Sequence, residues 1–256
     1  MCTGAVEVGI SQRGADLFYY EFFGKQSKSF SAYRFGTHEV LGFGLYKNES
    51  RETWTAFLSH LKKRGLKKVL MITSDVYEGI VHAMTKVFPE VSWQRCQFHF
   101  IRNILDKTAK KYQSGLQTEL QEMFHSATME KARARRGAIL VDYSDVTEEA
   151  MRCLEEGFES AMIVMHLDEY LRRYYRTSNH LERLNKELKR RSKVISIFPN
   201  GDSAIRLMSS VLVEHHNACQ AKRKIFSPEN YQKLMNSGTR LTLIHVAQQQ
   251  RQLLVA

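Results

Sequence analysis

The chain has 256 residues, of which 43% are hydrophobic, so it can bury the core of one large domain or of a core with an inserted subdomain. It contains 38 Lys and Arg and 27 Asp and Glu, and the net charge of +11 favours a polyanionic partner, nucleic acid before an anionic membrane surface. No apolar run approaches the roughly 20 residues of a membrane helix, no signal-peptide pattern is found, and the four cysteines are scattered, which together predict a soluble, cytoplasmic protein with free thiols.

The first half of the chain alternates strand and helix patterns. The aromatic-rich segment 16–23 favours a strand, residues 24–29 a turn and residues 39–46 a second strand. A short apolar run at 69–73 predicts a buried central strand, and the periodicity of 77–87 predicts a helix that Phe88-Pro89 ends.

A further helix is predicted between the second strand and the apolar run. Ser50 is its expected N-cap, but Thr53 stands where a capping box has Glu or Gln, so a capping box is predicted to be absent. Gly65 is expected to end the helix. The apolar positions with helical spacing are Trp54, Phe57, Leu58 and Leu61.

The second half of the chain is predicted to be almost wholly helical. Because strands and helices alternate before it, an α/β core is expected, and the long helical stretch is interpreted as an insertion. The chain then divides into residues 1–99, the first part of the core, 100–175, the helical insertion, and 176–256, the remainder of the core. Within this last part, a basic helix is predicted over 177–192, a turn over 198–201 and a closing helix over 203–220.

Two carboxylates occupy positions that suit metal-dependent chemistry. Asp75 follows the buried strand, where α/β folds place ligands, although it could simply cap the next helix. Glu182 lies beside a seam of leucines, Leu181, Leu184 and Leu188, although it could simply pair with Lys186. Glu187 competes for the role of Glu182, but it lies on the opposite flank of the seam.

Two sequence segments accompany these carboxylates. The first is Ser92-Trp93-Gln94-Arg95-Cys96-Gln97-Phe98-His99-Phe100-Ile101-Arg102-Asn103, and the second is Arg176-Thr177-Ser178-Asn179-His180-Leu181-Glu182-Arg183-Leu184-Asn185-Lys186-Glu187. A strand-end aspartate, a Cys-x-x-His and a late Glu on a basic helix, in this order, resemble the bacterial Mutator-type (IS256-like) transposases from about Gly36 to about Lys224.

The resemblance implies a fold and a chemistry. The fold would be α/β, an RNase H-like (DDE integrase-type) mixed sheet with a large all-helical insertion. The chemistry would be metal-dependent DNA strand cleavage followed by 3′-OH strand transfer, with an Asp-Asp-Glu triad holding Mg²⁺ or Mn²⁺. Asp75 would match the second Asp and Glu182 the Glu. The implied partners are DNA, both transposon ends and target, and further copies of the chain in a homo-oligomer.

The first Asp of the triad is harder to assign. Asp16 is the obvious aspartate on a plausible opening strand, but the residues around it match the family poorly. A truncated or degenerate N-terminus is therefore expected, and the chain is a DDE-type enzyme only if this first acidic ligand is present. The alternative is a non-catalytic, DNA-binding remnant of a transposase that interferes with the intact enzyme. A third hypothesis is an unrelated basic adaptor that binds RNA or protein.

Cys96 and His99 have two open interpretations. In the resemblance, the Cys-x-x-His supports the active site without binding metal. Equally, Cys96 could be an ordinary buried thiol and His99 a hydrogen-bonded core residue. A structural zinc is disfavoured because it normally needs four ligands and no second pair has suitable spacing.

The basic helix is the expected DNA-binding surface, although exposed helical charge is often only a solvated face. Its cations would neutralise phosphates, which position a duplex without reading its sequence. Trp93 could stack on a base, but a core position is the simpler interpretation. The candidate DNA-binding residues are Arg176, Asn179, Arg183, Lys186, Lys189, Arg190 and Arg191.

Overall fold

The structure is a computed structural model, and it describes residues 5–6, 17–23, 27–34, 37–46, 50–67, 69–195, 201–221, 227, 229 and 238–255. Side chains are described from residue 39 onward, except at positions 45, 179–182, 192, 193, 195, 201, 202, 254 and 255. The chain divides into two compact units. One is formed by residues 1–93 together with 178–256, and the other by residues 94–177.

The first unit is built on a six-stranded sheet, whose strands are β1 (Ala5–Val6), β2 (Leu17–Phe23), β3 (Ser27–Arg34), β4 (Thr37–Leu45), β5 (Met71–Ser74) and β6 (Ser92–Arg95). The spatial order is β1-β4-β3-β2-β5-β6. Strands β2, β3 and β4 form an antiparallel meander, and β5 runs parallel to β2. The sheet is therefore mixed, and the expected α/β class is confirmed.

Helices α1 (Arg51–Lys63) and α2 (Glu78–Val87) connect β4 to β5 and β5 to β6. They pack on each other through one hydrophobic core, and burying each large apolar side chain stabilises the fold by about 1.5–3 kcal/mol. Glycine at position 42 brings α1 close to β4, since a Cβ there would lie 2.9 Å from Leu61 Cδ2. The core includes Leu41, Trp54, Phe57, Leu58, Ile72, Ile80 and Met84.

Helix α1 begins and ends where the sequence predicts, with one correction at its start. Ser50 Oγ accepts the Thr53 N–H at 3.2 Å, and Thr53 Oγ1 accepts the Ser50 N–H at 3.1 Å. The prediction that no capping box forms is therefore wrong, because a threonine hydroxyl takes the part usually played by Glu or Gln. Gly65 ends the helix with a φ of 103°, and the Leu66 N–H donates to Leu61 O at 3.1 Å.

Strand β3 lies over residues 27–34, where the sequence patterns predict no strand. The predicted turn over residues 24–29 is wrong for 27–29, since these residues are the first three of β3. Ser27 lies opposite Phe23 of β2 and Leu45 of β4. Serine and lysine are not strong strand formers, but a strand with a neighbour on each side satisfies its backbone groups, and this context outweighs local propensity.

Strand β5 is buried on both faces, as predicted for a central strand. Ile72 packs into the core formed with α1 and α2. Met71 and Thr73 alternate with it and therefore point to the other face, and both are also buried. An interior strand with helices on the sheet has this uninterrupted burial.

Three more helices of the first unit lie within the described residues: α8 (Asn179–Ile195), α9 (Gly201–Gln220) and α10 (Gly238–Val255). Helix α8 contacts β2 and β3, and α9 contacts β4. Leu184 and Leu188 are buried, which confirms two of the three seam positions, while the side chain of Leu181 lies outside the described residues. The first three residues of the predicted turn over 198–201 also lie outside them, and residue 201 begins α9.

The second unit is helical wherever the sequence predicted helix. A central core, in which Phe100, Leu120 and Phe158 are fully buried, holds it together. In the part of the chain that the structure describes, no helix is both long and apolar enough to cross a membrane. The helices are α3 (Gln97–Asp106), α4 (Lys110–Phe124), α5 (Met129–Tyr143), α6 (Glu148–Ala161), a 3-10 helix (Ile163–His166) and α7 (Glu169–Tyr175).

Two buried glutamines tie together the helical unit. The Gln97 N–H donates to Arg176 O at 3.0 Å, which joins the beginning of the unit to its end. The side-chain amides of Gln94 and Gln97 both donate to Ala161 O, at 2.7 and 2.8 Å, and Gln94 Oε1 accepts the Val164 N–H at 2.7 Å. These bonds satisfy backbone groups that the end of α6 would otherwise leave unpaired.

Candidate active site

Asp75 lies directly after the interior strand β5 and is half-buried. The following helix begins at Glu78, its N-cap is Tyr77, and no side chain caps it, so the alternative in which Asp75 is the N-cap is wrong. Its carboxylate oxygen Oδ1 is shielded from solvent. The strand end therefore carries a partly shielded carboxylate at the edge of the sheet where α/β folds bind ligands.

The backbone of Asp75 is tied to the neighbouring strand through a serine. Ser74 is fully buried, and its hydroxyl donates to Asp75 O at 2.8 Å. The same hydroxyl accepts the indole N–H of Trp93 at 2.8 Å. Trp93 is half-buried against the core, which agrees with the simpler of its two interpretations. Sequence patterns do not reveal this link, because Ser74 and Trp93 lie 19 residues apart on different strands.

Glu182 lies in helix α8, but its side chain and that of Asn179 lie outside the described residues. The backbone of the helix is informative nevertheless. Helix α8 contacts β2, and β2 is the parallel neighbour of β5, with Leu17 opposite Met71.

The residue predicted as the first acidic ligand, Asp16, immediately precedes a described strand. Asp16 lies outside the described residues, and β2 begins one residue later, at Leu17. Tyr19 pairs with Thr73, and the same register continued by two residues brings Glu21 level with Asp75. Glu21 was not singled out from the sequence, because only the pairing of β2 with β5 reveals the match.

Glu187, the competitor of Glu182, is engaged by two arginines. It accepts hydrogen bonds from Arg190 Nε and Nη2 at 2.8 and 2.7 Å and from Arg191 Nε at 2.8 Å. These bonds, from Arg190 first and then Arg191, lower the pKa of Glu187 to about 2. Arg191 also reaches Glu214 at 3.9 Å. A carboxylate shared by two guanidinium groups is poorly placed to bind a metal ion.

The remaining candidate DNA-binding residues differ in accessibility. Arg183 and Lys186 are exposed, and no ion pair to either is found among the described residues. Lys189 is exposed as well, whereas Arg176 is half-buried and belongs to the helical unit. Arg183 and Lys186 are therefore the cations of α8 that are most available to a phosphate backbone.

A cavity of about 670 Å³ opens in the first unit and reaches Val76, the residue after Asp75. Trp93 forms part of its wall, and Arg51 in the wall is paired with Glu78. Such a mixture of cationic and apolar groups suits a nucleotide better than a purely apolar ligand. The basic residues that line the cavity are Arg51, His82, Lys86 and Arg251.

Cys96 and His99 lie at the start of α3, in the helical unit. Cys96 is fully buried, and His99 is half-buried with its ring edge-on to that of Phe98, at 5.5 Å between ring centroids. Both interpretations of this pair stay open. Over the ranges that the structure covers, no group of three or more His, Cys, Asp or Glu could hold a metal ion.

The fold and the site define an α/β protein with a carboxylate at the end of an interior strand and a basic helix packed on the neighbouring strand. Residues 33–221 match the family model described as "Transposase, Mutator family". Because this match covers most of the chain, the protein belongs to the Mutator family of transposases, and the hypothesis of an unrelated basic adaptor is wrong.

Three relatives illustrate the similarity. The transposase of insertion sequence element IS256 in transposon Tn4001 from Staphylococcus aureus is 39% identical over 184 residues, 71% of this chain and 47% of the relative. The ISRM5 transposase of Rhizobium meliloti is 36% identical over 191 residues, 74% and 48% of the two chains. The IS1081 transposase of Mycobacterium tuberculosis is 31% identical over 182 residues, 71% and 44%. The matched part of the chain thus spans about half the length of these relatives.

Proposed function

We propose that this chain is the catalytic region of a DNA transposase, in which Asp75 and Glu182 hold Mg²⁺ or Mn²⁺. One observation carries the proposal. Helix α8, which bears Glu182, packs on β2, and β2 is the parallel neighbour of β5, whose end bears Asp75. The two acidic positions, more than a hundred residues apart in sequence, thus lie on elements that share a neighbour, as converging metal ligands require.

The arrangement of strands supports an RNase H-like core. The sheet is mixed, its opening long strand β2 is interior, and the strand that leads to Asp75 pairs in parallel with it. These are the features expected if the first and second acidic ligands of a DDE triad sit on adjacent strands. The helical unit, residues 94–177, then corresponds to the insertion between the second Asp and the Glu.

The donor set fits the proposed ion. Carboxylate oxygens are the hard ligands that Mg²⁺ prefers, and a partly shielded carboxylate such as Asp75 keeps its charge close to the reacting phosphate. When bound, a pair of such ions activates the attacking oxygen and stabilises the leaving oxygen of a phosphodiester. The part of Asp75 and Glu182 is to hold that site in one geometry, for water in strand cleavage and for the 3′-OH in strand transfer.

Two residues compete for the first acidic position. Asp16 stays the prediction from sequence. Glu21 is the alternative that the register of β2 on β5 supports, since it falls level with Asp75. Either residue would supply a third carboxylate. Substituting each residue in turn shows which of the two is the ligand.

DNA contact is proposed for the exposed cations of α8 and for the cavity beside Val76. Arg183 and Lys186 would neutralise phosphates, and Lys86 and Arg251 would do so along the cavity wall. Transposon ends and target DNA are the expected substrates, and assembly into a homo-oligomer stays a prediction from the family resemblance.

The proposal is tested by nicking of labelled duplex DNA in Mg²⁺ or Mn²⁺. Asp75→Ala and Glu182→Ala are expected to reduce cleavage to the level seen in EDTA while DNA binding persists. Of Asp16→Ala and Glu21→Ala, only the substitution that removes the first ligand should do the same. Glu187→Gln is the matched control on α8, because its carboxylate is already engaged by arginines.

The possible results separate catalysis from DNA binding alone. Cleavage by Asp75→Ala at the rate of the parent would overturn the enzymatic proposal. Parent protein that binds DNA but nicks it in neither metal would favour the non-catalytic alternative, a protein that interferes with an intact transposase. Loss of cleavage in Glu187→Gln, with cleavage by Glu182→Ala at the rate of the parent, would exchange the roles of these two glutamates.

A further inference from the structure

We propose that Trp93 and Ser74 are positioning residues for Asp75, and that helix α10 holds Trp93 in place for this task. The inference rests on the proposed role of Asp75 as a metal ligand. It concerns two hydrogen-bonded links, one at Ser74 and one at Gln250, that run from α10, through the edge strand β6, to the end of β5.

The first link uses the donor and one acceptor position of the Ser74 hydroxyl. It donates to Asp75 O and accepts from Trp93 Nε1, each at 2.8 Å, and the residue is fully buried. A hydroxyl that both donates and accepts in this way cannot rotate without losing a bond, and water cannot replace either partner in a buried site. The carbonyl of Asp75 is therefore fixed, and with it the peptide plane from which the side chain departs.

The second link fixes the main chain of Trp93. Its N–H donates to Gln250 Oε1 at 2.9 Å, and its carbonyl accepts from Gln250 Nε2 at 2.8 Å. Among the described strands β6 is at the edge of the sheet, so within that part of the chain its outer backbone groups have no further strand to pair with. The amide of Gln250 supplies the donor and the acceptor that another strand would have supplied.

The packing of the Trp93 ring is a further constraint. Trp93 is half-buried, with its indole packed against the core of α1 and α2 and one part in the wall of the cavity that reaches Val76. Core packing alone does not explain the bond to Ser74, since a phenylalanine would pack similarly without a donor. The indole N–H thus links Ser74, whose hydroxyl holds the Asp75 carbonyl, to β6.

Rigid placement of Asp75 matters because Mg²⁺ demands near-ideal octahedral geometry and tolerates little displacement of its ligands. Residues that orient a ligand from behind commonly change metal affinity or activity by about 10–100-fold when they are replaced. Helix α10 lies outside residues 33–221, the part of the chain matched to the family.

The test measures Mn²⁺ binding to the full chain by isothermal titration calorimetry, together with nicking as a function of Mn²⁺ concentration. Trp93→Phe and Ser74→Ala are each expected to weaken Mn²⁺ binding about tenfold or more and to raise the Mn²⁺ concentration for half-maximal cleavage by the same factor. The double variant should lose no more than the larger single loss, because both substitutions break one path. DNA affinity in EDTA and the thermal midpoint serve as controls for folding.

Substitutions of two neighbouring residues on α10, Gln250 and Gln249, test the link between α10 and Trp93. Gln250→Ala should weaken Mn²⁺ binding in the same direction by a smaller factor, since Ser74 and Trp93 still bond to each other. Gln249→Ala, an exposed neighbour bonded to His245, should leave it unchanged.

Failure of this inference differs from failure of the proposed function. If Asp75→Asn abolishes Mn²⁺ binding while Ser74→Ala and Trp93→Phe, both folded, bind as the parent does, the positioning role is overturned and the metal site stands. If the parent binds no Mn²⁺, the proposed function is overturned and the positioning role falls with it. Strictly additive losses in the double variant would show that Trp93 and Ser74 act separately and would also overturn the path.

Discussion

The two units of this chain differ sharply in charge. Residues 94–177 contain 13 Lys and Arg and 13 Asp and Glu, so the helical unit has no net formal charge. The other residues contain 25 and 14, and they carry the entire surplus of +11. The attraction to a polyanion that the composition indicates therefore belongs to the α/β unit, which also carries Asp75 and Glu182.

The helical unit uses its charges between its own helices. Arg135 of α5 pairs with Glu122 of α4 at 2.6 Å, and Arg133 of α5 pairs with Glu159 of α6 at 3.1 Å. Arg95, near its start, lies over the ring of Phe100 at 4.1 Å. Exposed pairs of this kind contribute about 0–1 kcal/mol each. The comparison teaches that a basic stretch of sequence indicates a nucleic-acid surface only where its charges are not matched within the fold.

The largest expected effect tests whether each unit depends on its own core. Phe158→Ala removes a fully buried ring from the helical unit and should destabilise that unit by about 3–5 kcal/mol. Hydrogen exchange followed by mass spectrometry should show reduced protection in α3 and α6 with α1 and α2 still protected. Phe57→Ala is the matched change in the other core and should give the reverse pattern. Equal loss of protection in both units from either substitution would mean that the two cores unfold as one.

The next effect tests the charge difference. Arg183→Glu with Lys186→Glu in α8 should weaken DNA binding at about 0.1 M salt by roughly tenfold for each phosphate that is no longer neutralised, and should reduce the salt-dependence slope by about 2. Lys110→Glu with Lys111→Glu makes the same charge change on exposed positions of the neutral unit.

Fluorescence anisotropy of labelled duplex DNA across a salt series measures both double variants. The α4 pair is expected to keep most of the affinity and nearly all of the slope. A loss of DNA affinity in the α4 pair as large as in the α8 pair would assign DNA binding to the helical unit as well. The difference between the two units would then be contradicted.

The smallest effect concerns the pKa of Glu187. Because Arg190 and Arg191 lower the pKa of Glu187 to about 2, its ion pairs should persist from neutral pH to below the ordinary glutamate value of about 4.3 and be lost as the pH falls through about 2. Carbon-detected NMR titration of the carboxyl group measures the midpoint. Replacing both arginines by glutamine should return it to the ordinary range, and a midpoint that stays near 2 would assign the shift to another cause.

Much of the site could be predicted from the sequence. The position of Asp75 after a buried strand followed from a short apolar run, and the seam of α8 followed from leucines spaced along a helix, because both depend on neighbours within a few residues. The capping box of Ser50 with Thr53 was mispredicted although it is local, since the expectation required Glu or Gln where a hydroxyl suffices. Strand β3 was not predicted, because its stability comes from two partner strands rather than from its own residues.

By itself, the sequence determined the family, the α/β class and the helical stretch, since these rest on ordered motifs and on periodicity along the chain. Only the tertiary structure decided that β2 pairs in parallel with β5, that Trp93 bonds to Ser74, and which cations form ion pairs. The physical reason is the same in each case. Hydrogen bonds and ion pairs act over a few ångströms, and which distant residues come that close is set by strand register and helix packing.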